Sequence, residues 1–187
     1  CYPTKNLGGI GDAGVILCSS KKIESYLRSI REYGWNNLRE SIVSGFNSRL
    51  DEIQASILRV KLKYLSEDLE KRKNIANLYY KNLAGLPLKL PLRNENETHA
   101  MHLFVIECDN RDGLLNHLRR EGIGASLHYP LAIHQQKAYS NRFRGSNNLE
   151  ITEGFYKRHL TLPLFPELSK TDIEKIIASI SSWFNQD

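Results

Sequence analysis

The sequence predicts an α/β protein in which two parts are joined by one long helix. A short β-branched apolar run at residues 13–19 precedes a helical pattern, and a single apolar stripe then runs from residue 48 to about residue 83. Short strand and helix patterns alternate after residue 85. We therefore expect residues 1–84 to form one part that ends in the long helix, and residues 85–187 to form a smaller α/β domain.

The composition is that of a folded protein. Of the 187 residues, 41% are hydrophobic and 25% are charged, close to the averages for globular domains. The net charge of +5 favours an anionic partner of some kind. Because Lys and Arg alternate with Glu along the helical segments, as on solvated helix faces, nucleic-acid binding is a weak alternative. No apolar stretch approaches the roughly 20 residues of a membrane span, and no signal-peptide pattern is present.

The cysteines indicate neither a disulfide framework nor a metal site. Cys1, Cys18 and Cys108 are odd in number and scattered, without a CxxC spacing. We expect reduced thiols, a cytoplasmic protein and no metal. Because the first residue is cysteine rather than methionine, we interpret the chain as a processed product or as part of a longer protein.

The first part begins with a glycine-rich loop that leads into a strand and a helix. AGVILCS (13–19) has the pattern of a buried strand. Ser19 or Ser20 is suited to cap a helix that runs to about Tyr33, and Gly34 is suited to stop it. The polar segment WNNLRESIVSGFN (35–47) predicts a loop.

The long helix is predicted to start at Ser48. Its apolar stripe comprises Leu50, Ile53, Ile57, Val60 and Tyr64, and the pattern persists to about Leu83, with room for a kink. Ser48 and Asp51 resemble a capping box, and Gly85 with Pro87 ends the segment. A helix of this length commonly bridges two domains or serves a partner.

The second part alternates short strands and helices. We expect an extended piece at 86–92, strands at 99–108 and 124–130, and a helix at 111–122 that glycine stops. A further helix is predicted from about Asn148 to Leu160, and a final helix from Thr171 to Phe184.

Lys5 is the strongest candidate for a catalytic residue. It stands in an apolar, glycine-flanked loop just before the predicted strand, and desolvation there would lower the pKa of its amine and make it a nucleophile for imine formation. Judged on position alone, an ordinary surface lysine is the more common case.

The other candidates are polar residues at predicted element ends. Asn47 and Arg49 stand at the predicted start of the long helix, where backbone N–H groups and the helix dipole favour an anion such as phosphate; an ordinary helix cap is the alternative. His128 and Tyr129 stand at the end of a predicted strand, with His134 shortly after it, and are placed to line a pocket beyond the strand end, although such histidines are more often structural.

Four motifs, in order, together resemble one family. CYPTKNLGGIGDAG is similar to the SFYPTKNLG…GDGG stretch of the DegT/DnrJ/EryC1/StrS family of pyridoxal-phosphate-dependent sugar aminotransferases. The same holds for GFNSRLDEIQASILRVKL (45–62), GIGASLHYPLAIHQQKAY (122–139) and LTLPLFPELSKTDIEKI (160–176). The motifs span the whole chain, which resembles the C-terminal half of a family member.

The resemblance implies a fold, a cofactor and roles for residues. It implies the end of the large domain of the aspartate aminotransferase superfamily (fold type I), a bridging helix and a small C-terminal α/β domain. Lys5 would bind pyridoxal 5'-phosphate covalently and move the proton during catalysis. Asn47 would reach the cofactor phosphate of the other subunit in a homodimer, with Arg49 beside it. His128, Tyr129 and His134 would line the sugar-nucleotide pocket.

The implied reaction is transfer of an amino group, with glutamate as the expected donor, to a nucleotide-linked keto sugar in polysaccharide or glycoconjugate biosynthesis. REYGW and PTKN are most similar to members that act on dTDP-linked 3-keto-6-deoxyhexoses. The presence of Lys5 excludes the dehydratase branch, in which histidine replaces the lysine. The alternative is a truncated, non-catalytic relative that acts as a regulatory or interaction protein, because fold alone does not decide function.

Overall fold

The computed structural model describes residues 1–94, 97–139, 142 and 149–185. The chain divides into two compact units, Cys1–Ser66 and Glu67–Asp187. Over these described residues, the regular elements are five α-helices, two strands and a short 3₁₀ helix at Ile133–Gln135. They are α1 (Lys21–Ile30), α2 (Glu52–Leu83), β1 (Phe104–Glu107), α3 (Arg111–Arg120), α4 (Glu150–Arg158), β2 (His159–Leu162) and α5 (Lys170–Phe184). The described part contains no helix long and apolar enough to span a bilayer.

Helix α1 forms where its cap predicts it. The Ser20 side chain accepts a hydrogen bond from the backbone N–H of Ile23, which satisfies one of the donors left open in the first turn. The helix ends at Ile30, three residues before the predicted Tyr33. Gly34 then adopts a φ of +75°, a conformation that favours glycine.

The strand predicted at 13–19 is wrong. No strand forms there, and Val15, Ile16 and Leu17 are exposed rather than buried. A strand needs a neighbouring strand to pair with, and within residues 1–66 no β-bridge joins this segment to another. Within residues 1–66, Leu58 is the only large apolar side chain that is buried.

The segment predicted as a loop folds back on itself. Trp35 pairs with Ser41 and Glu32 pairs with Asn47 through isolated antiparallel bridges. The backbone N–H of Phe46 donates to the carbonyl of Ile30 at 2.6 Å. The loop is therefore tied to the end of α1 and delivers the chain to α2.

Helix α2 is one unbroken element of 32 residues. It begins at Glu52, and the N–H of Ala55 donates to the carbonyl of Asp51. The predicted start and capping box at Ser48 are wrong. Ser48 lies before the helix, where its backbone N–H donates to the carbonyl of Arg31 next to the Glu32–Asn47 bridge. The predicted end at Leu83 is confirmed, and Gly85 follows with a φ of +85°.

The second unit contains a small antiparallel sheet. Strands β1 and β2 pair with Phe104 opposite Leu162 and Glu107 opposite His159. Lys89 adds a bridge on the outer side of β1, and Ser126 adds one beside β2 at Thr161. The strands predicted at 99–108 and 124–130 thus shorten to four residues and to a single bridge, respectively.

The hydrophobic core of the second unit lies between one face of this sheet and helices. Phe104 is fully buried, and its ring centroid lies 5.1 Å from those of Tyr79 and Tyr80 in α2. Helix α3 packs against α5 and β2. The fully buried large apolar side chains are Tyr79, Leu83, Phe104, Ile106, Leu114, Leu118, Leu160, Leu162 and Ile180.

Local caps set the ends of the helices in this unit. Asn110 caps α3, and Ser169 caps α5 by accepting from the N–H of Asp172 at 3.1 Å. The predictions for these helices are confirmed to within two residues at each end. The predicted start of a helix at Asn148 lies outside the described residues, and α4 ends at Arg158 because His159 begins β2.

Candidate functional site

Lys5 sits in a tight turn at the beginning of the chain. Its backbone N–H donates to the carbonyl of Tyr2 at 2.9 Å, and Pro3 occupies the turn between them. Gly8 packs directly on the carbonyl of Pro3, where a Cβ would collide with that oxygen. The backbone on both sides of Lys5 is therefore fixed by short-range contacts.

The side chain of Lys5 is exposed. This corrects the expectation that residues of the loop desolvate the amine, because the flanking Thr4 is also exposed and Leu7 is only partly buried. Within the first unit, the amine is presented at a surface rather than enclosed.

The loop after Lys5 is held by the long helix. The N–H of Ile10 donates to Oε1 of Gln54, in the first turn of α2, at 2.8 Å. Sequence reasoning missed Gln54 because 44 residues separate the two partners and nothing in the local pattern marks the pair.

Asn47 and Arg49 contact each other. The Nε–H of Arg49 donates to Oδ1 of Asn47 at 3.0 Å, and both residues are exposed. That bond uses the amide oxygen and one guanidinium nitrogen. It does not consume the amide NH2 or the terminal guanidinium nitrogens, which are the donor groups that an anion requires.

The predicted position of this pair at the helix start is wrong. Helix α2 begins at Glu52, so both residues precede it, Asn47 in its isolated bridge with Glu32 and Arg49 in the connection that follows. The field of a helix dipole falls off within its first turn. Any anion bound by this pair is therefore held by the side chains rather than by the end of the helix.

His128 and Tyr129 lie together in the second unit. Nδ1 of His128 is 3.0 Å from Oγ1 of Thr161 in β2, a hydrogen bond whose donor depends on the tautomer. Tyr129 is 63% exposed, and its ring meets the His128 ring edge to face at 5.5 Å. The peptide bond between the two residues is cis.

His134 is held by a carboxylate. It lies in the 3₁₀ helix at Ile133–Gln135, and its Nε2 is 3.0 Å from Oε1 of Glu153 in α4. Its side chain is only 11% exposed. Nε2 is thus engaged by Glu153, and Nδ1 is the ring nitrogen that this contact does not use.

A buried histidine lies in β2 near this group. His159 has no exposed surface, and its ring stacks on that of Phe155 at 5.0 Å and 7°. Burial lowers the pKa of His159 below its ordinary value, and the charge of Arg111 acts in the same direction. His159 is therefore a neutral packing residue rather than a proton carrier at neutral pH.

The structure thus brings together two sets of predicted residues within their own units. Asn47 pairs with Arg49, and His128 contacts Tyr129. Glu153 and Thr161 complete the histidine contacts, and the sequence carried no signal for them because they lie 19 and 33 residues from their partners. Among the residues that the structure describes, no cluster of three or more His, Cys, Asp or Glu is arranged to hold a metal ion.

Comparison with known proteins places these residues in a wider context. The family model of the DegT/DnrJ/EryC1/StrS aminotransferase family matches residues 1–181. A UDP-N-acetyl-3-dehydro-alpha-D-glucosamine 3-aminotransferase of Acidithiobacillus ferrooxidans is 36% identical over 96% of the chain and 48% of the relative. A dTDP-3-amino-3,4,6-trideoxy-alpha-D-glucose transaminase of Streptomyces venezuelae is 34% identical over 97% of the chain and 48% of the relative.

The fold is also that of a solved structure. S. venezuelae DesV, crystallised in complex with a ketimine intermediate, superposes with a TM-score of 0.96 at 34% identity. The superposition covers 100% of this chain and 50% of DesV. The chain spans about half the length of the curated relatives it matches.

Proposed function

The chain belongs to the DegT/DnrJ/EryC1/StrS aminotransferase family, and we propose that it serves in the transfer of an amino group to the keto carbon of a nucleotide-linked sugar. Family membership over residues 1–181 supports the reaction class. The observation that carries the proposal is the fixed turn that presents Lys5, because a pyridoxal-phosphate enzyme binds its cofactor through the amine of a lysine.

The residues present fit pyridoxal 5'-phosphate. Lys5 offers a primary amine at a surface, on a turn whose backbone is fixed, and the Asn47–Arg49 pair offers amide and guanidinium donors suited to a phosphate. When bound, the cofactor supplies an electron sink that acidifies the α carbon of the amino donor.

The role proposed for Lys5 is to bind the cofactor covalently and to move a proton. Its Nζ is the base that would take the α proton of the amino donor, for which we propose glutamate. The protonated amine would then act as the general acid and deliver that proton to the next carbon protonated in the reaction. The fixed turn sets the position of the Lys5 backbone, from which the side chain extends, and a fixed starting point favours control of a proton transfer.

Asn47 and Arg49 are proposed to bind the cofactor phosphate across a homodimer interface. Their mutual hydrogen bond holds the two side chains together and leaves the amide NH2 of Asn47 and the terminal guanidinium nitrogens of Arg49 outside it. A guanidinium gives a charge-assisted contact to phosphate that does not depend on the helix dipole. We propose a cytoplasmic homodimer as the working assembly.

His128, Tyr129 and His134 are proposed to contact the sugar nucleotide. The exposed Tyr129 ring is suited to stacking on a base or sugar face. His134 is held by Glu153 and so offers one defined ring nitrogen. Thr161 fixes the ring of His128 in the same way.

For the acceptor, we propose a 3-keto sugar linked to dTDP. The names of the two relatives from A. ferrooxidans and S. venezuelae both specify position 3 of the sugar, whereas one sugar carries UDP and the other dTDP. The carbon is thus better supported than the nucleotide, and the REYGW and PTKN segments favour dTDP.

The experiment that tests this function is cofactor trapping. Pyridoxal phosphate is added to the chain and, where the gene encodes residues before Cys1, to that longer protein; borohydride reduction and peptide mass spectrometry then locate the adduct. We expect an adduct on Lys5 in excess of that on Lys22, another exposed lysine of the first unit, and loss of it in Lys5→Arg. Labelling of Lys5 no greater than that of Lys22 in either protein would refute the proposal and support a non-catalytic relative.

A further inference from the structure

The side chain of Gln54 lies on the glycine-rich segment that follows Lys5. Its Oε1 accepts the hydrogen bond from the N–H of Ile10 at 2.8 Å. Gln54 is the third residue of α2, and its partner lies 44 residues earlier in the chain, outside the helix. The contact is therefore a specific tie between the helix and the loop.

The fit between the amide and the loop is close on both sides of Ile10. A Cβ placed on Gly9 would stand 2.5 Å from Oε1 of Gln54, and one placed on Gly11 would stand 3.2 Å from its Nε2. Gly9 is buried although it lies in a loop. The amide thus occupies the space that side chains at positions 9 and 11 would fill.

The segment that Gln54 holds also supports the lysine turn. The N–H of Gly9 donates to the carbonyl of Cys1 at 2.9 Å, and Gly8 packs on the carbonyl of Pro3. A displacement of Gly9 would move both supports of the turn. Contacts therefore run without interruption from the helix through the glycines to the residues that flank Lys5.

We propose that Gln54 is a positioning residue for Lys5: its side-chain amide anchors the Gly9–Gly11 segment to α2 and so fixes the turn that presents the amine. This proposal rests on the function proposed above for Lys5. The function of the amide is geometric, since its hydrogen bond goes to the backbone and it is assigned no contact with a substrate.

The test compares three substitutions. Gln54→Met keeps the length of the side chain but removes the acceptor, whereas Gln54→Glu keeps an oxygen for the N–H of Ile10. Asn82→Leu is the matched control, because Asn82 is an exposed amide at the other end of α2 that bonds within its own helix, to the carbonyl of Leu78. Circular dichroism establishes that each variant is folded.

Two readouts are used. Hydrogen exchange of the Ile10 amide reports the contact itself, and the ratio of pyridoxal-phosphate adduct on Lys5 to that on Lys22 reports positioning. For Gln54→Met we expect exchange to accelerate about fivefold and the adduct ratio to fall by a similar factor, as for the loss of one ordinary hydrogen bond. Gln54→Glu should stay within about twofold of the parent protein in both readouts, as should Asn82→Leu.

Gly9→Ala approaches the same contact from the loop. Its added methyl group should displace the amide and reproduce the effect of Gln54→Met, and combining the two substitutions should add little more.

The outcomes separate this proposal from the proposed function. If the parent protein forms the Lys5 adduct and Gln54→Met leaves the adduct ratio unchanged, the positioning role is wrong and the function stands. It is also wrong if Gln54→Glu falls as far as Gln54→Met. If the parent protein forms no adduct on Lys5, the proposed function fails and the positioning role fails with it, while the exchange data still decide whether the contact exists.

Discussion

Arg72 offers a stringent test of how α2 is held in the second unit. It is 7% exposed, and its Nη1 donates to the carbonyl of Leu164 at 2.8 Å. The carbonyls of Met101 and His102 lie farther from the same nitrogen, at 3.4 Å. One side chain on α2 thus donates hydrogen bonds to carbonyl groups in two separate loops.

The magnitude follows from these distances. A hydrogen bond from a charged donor contributes about 1.5–3 kcal/mol, and only the 2.8 Å bond has good geometry. Burial lowers the pKa of Arg72, so part of that gain offsets desolvation of the charge. Arg72→Met keeps the aliphatic volume but leaves the Leu164 carbonyl without its donor. We expect a loss of about 2–3 kcal/mol in the free energy of unfolding.

The assay is urea denaturation followed by the fluorescence of Trp183 in a Trp35→Phe background, so that the signal comes from the second unit. Lys73→Met, at the exposed neighbouring position, is the control and should change stability by less than about 0.5 kcal/mol. If Arg72→Met is as stable as Lys73→Met, the argument that this hydrogen bond secures the loops is refuted.

Two further predictions concern titratable groups. Burial raises the pKa of Cys108 to about 11 from 9.0, so the free energy of unfolding should fall as pH rises from about 9 to about 11, by at most about 1.4 kcal/mol per pH unit. Denaturation against pH should show this slope reduced in Cys108→Ala, and thiol reagents at pH 8 should label the exposed Cys18 before Cys108; equal labelling would contradict the burial argument. Burial lowers the pKa of His159 below 6.5, so stability should be lost as pH falls from about 6.5 towards that lowered pKa, where the unfolded state binds a proton that the folded state does not. His159→Asn should flatten this acid slope, and an unchanged slope would show that another group causes it.

The sequence predicted best the elements that depend on local interactions. Helices α3 and α5 have side-chain caps at Asn110 and Ser169, and their limits were predicted to within two residues. The end of α2 at Leu83 was also predicted, because glycine and proline follow it.

The failures concern elements that depend on distant partners. The apolar run at 13–19 has the composition of a strand but forms none in the first unit. Strand β2 was missed because the helical pattern continued into it, and its pairing with β1 is a contact between segments far apart in the sequence. The contacts of Gln54 and Glu153 were missed for the same reason.

The site was predicted as residues and roles, without the contacts that hold them. The motifs named Lys5, Asn47, Arg49, His128, Tyr129 and His134, and the structure adds what holds several of them. Their roles in catalysis and binding, and the division of the chain near residue 85, remain predictions.

The contact between Gly8 and Pro3 has a consequence for how variation at this position should be interpreted. Any side chain at residue 8 collides with backbone, whereas a Cβ at Gly14 meets nothing within 4 Å. Saturation mutagenesis screened only for soluble expression would therefore return glycine at position 8 and accept many residues at position 14. Conservation of Gly8 would in that case reflect a steric requirement of the backbone. That conservation alone would not be evidence of selection for catalysis.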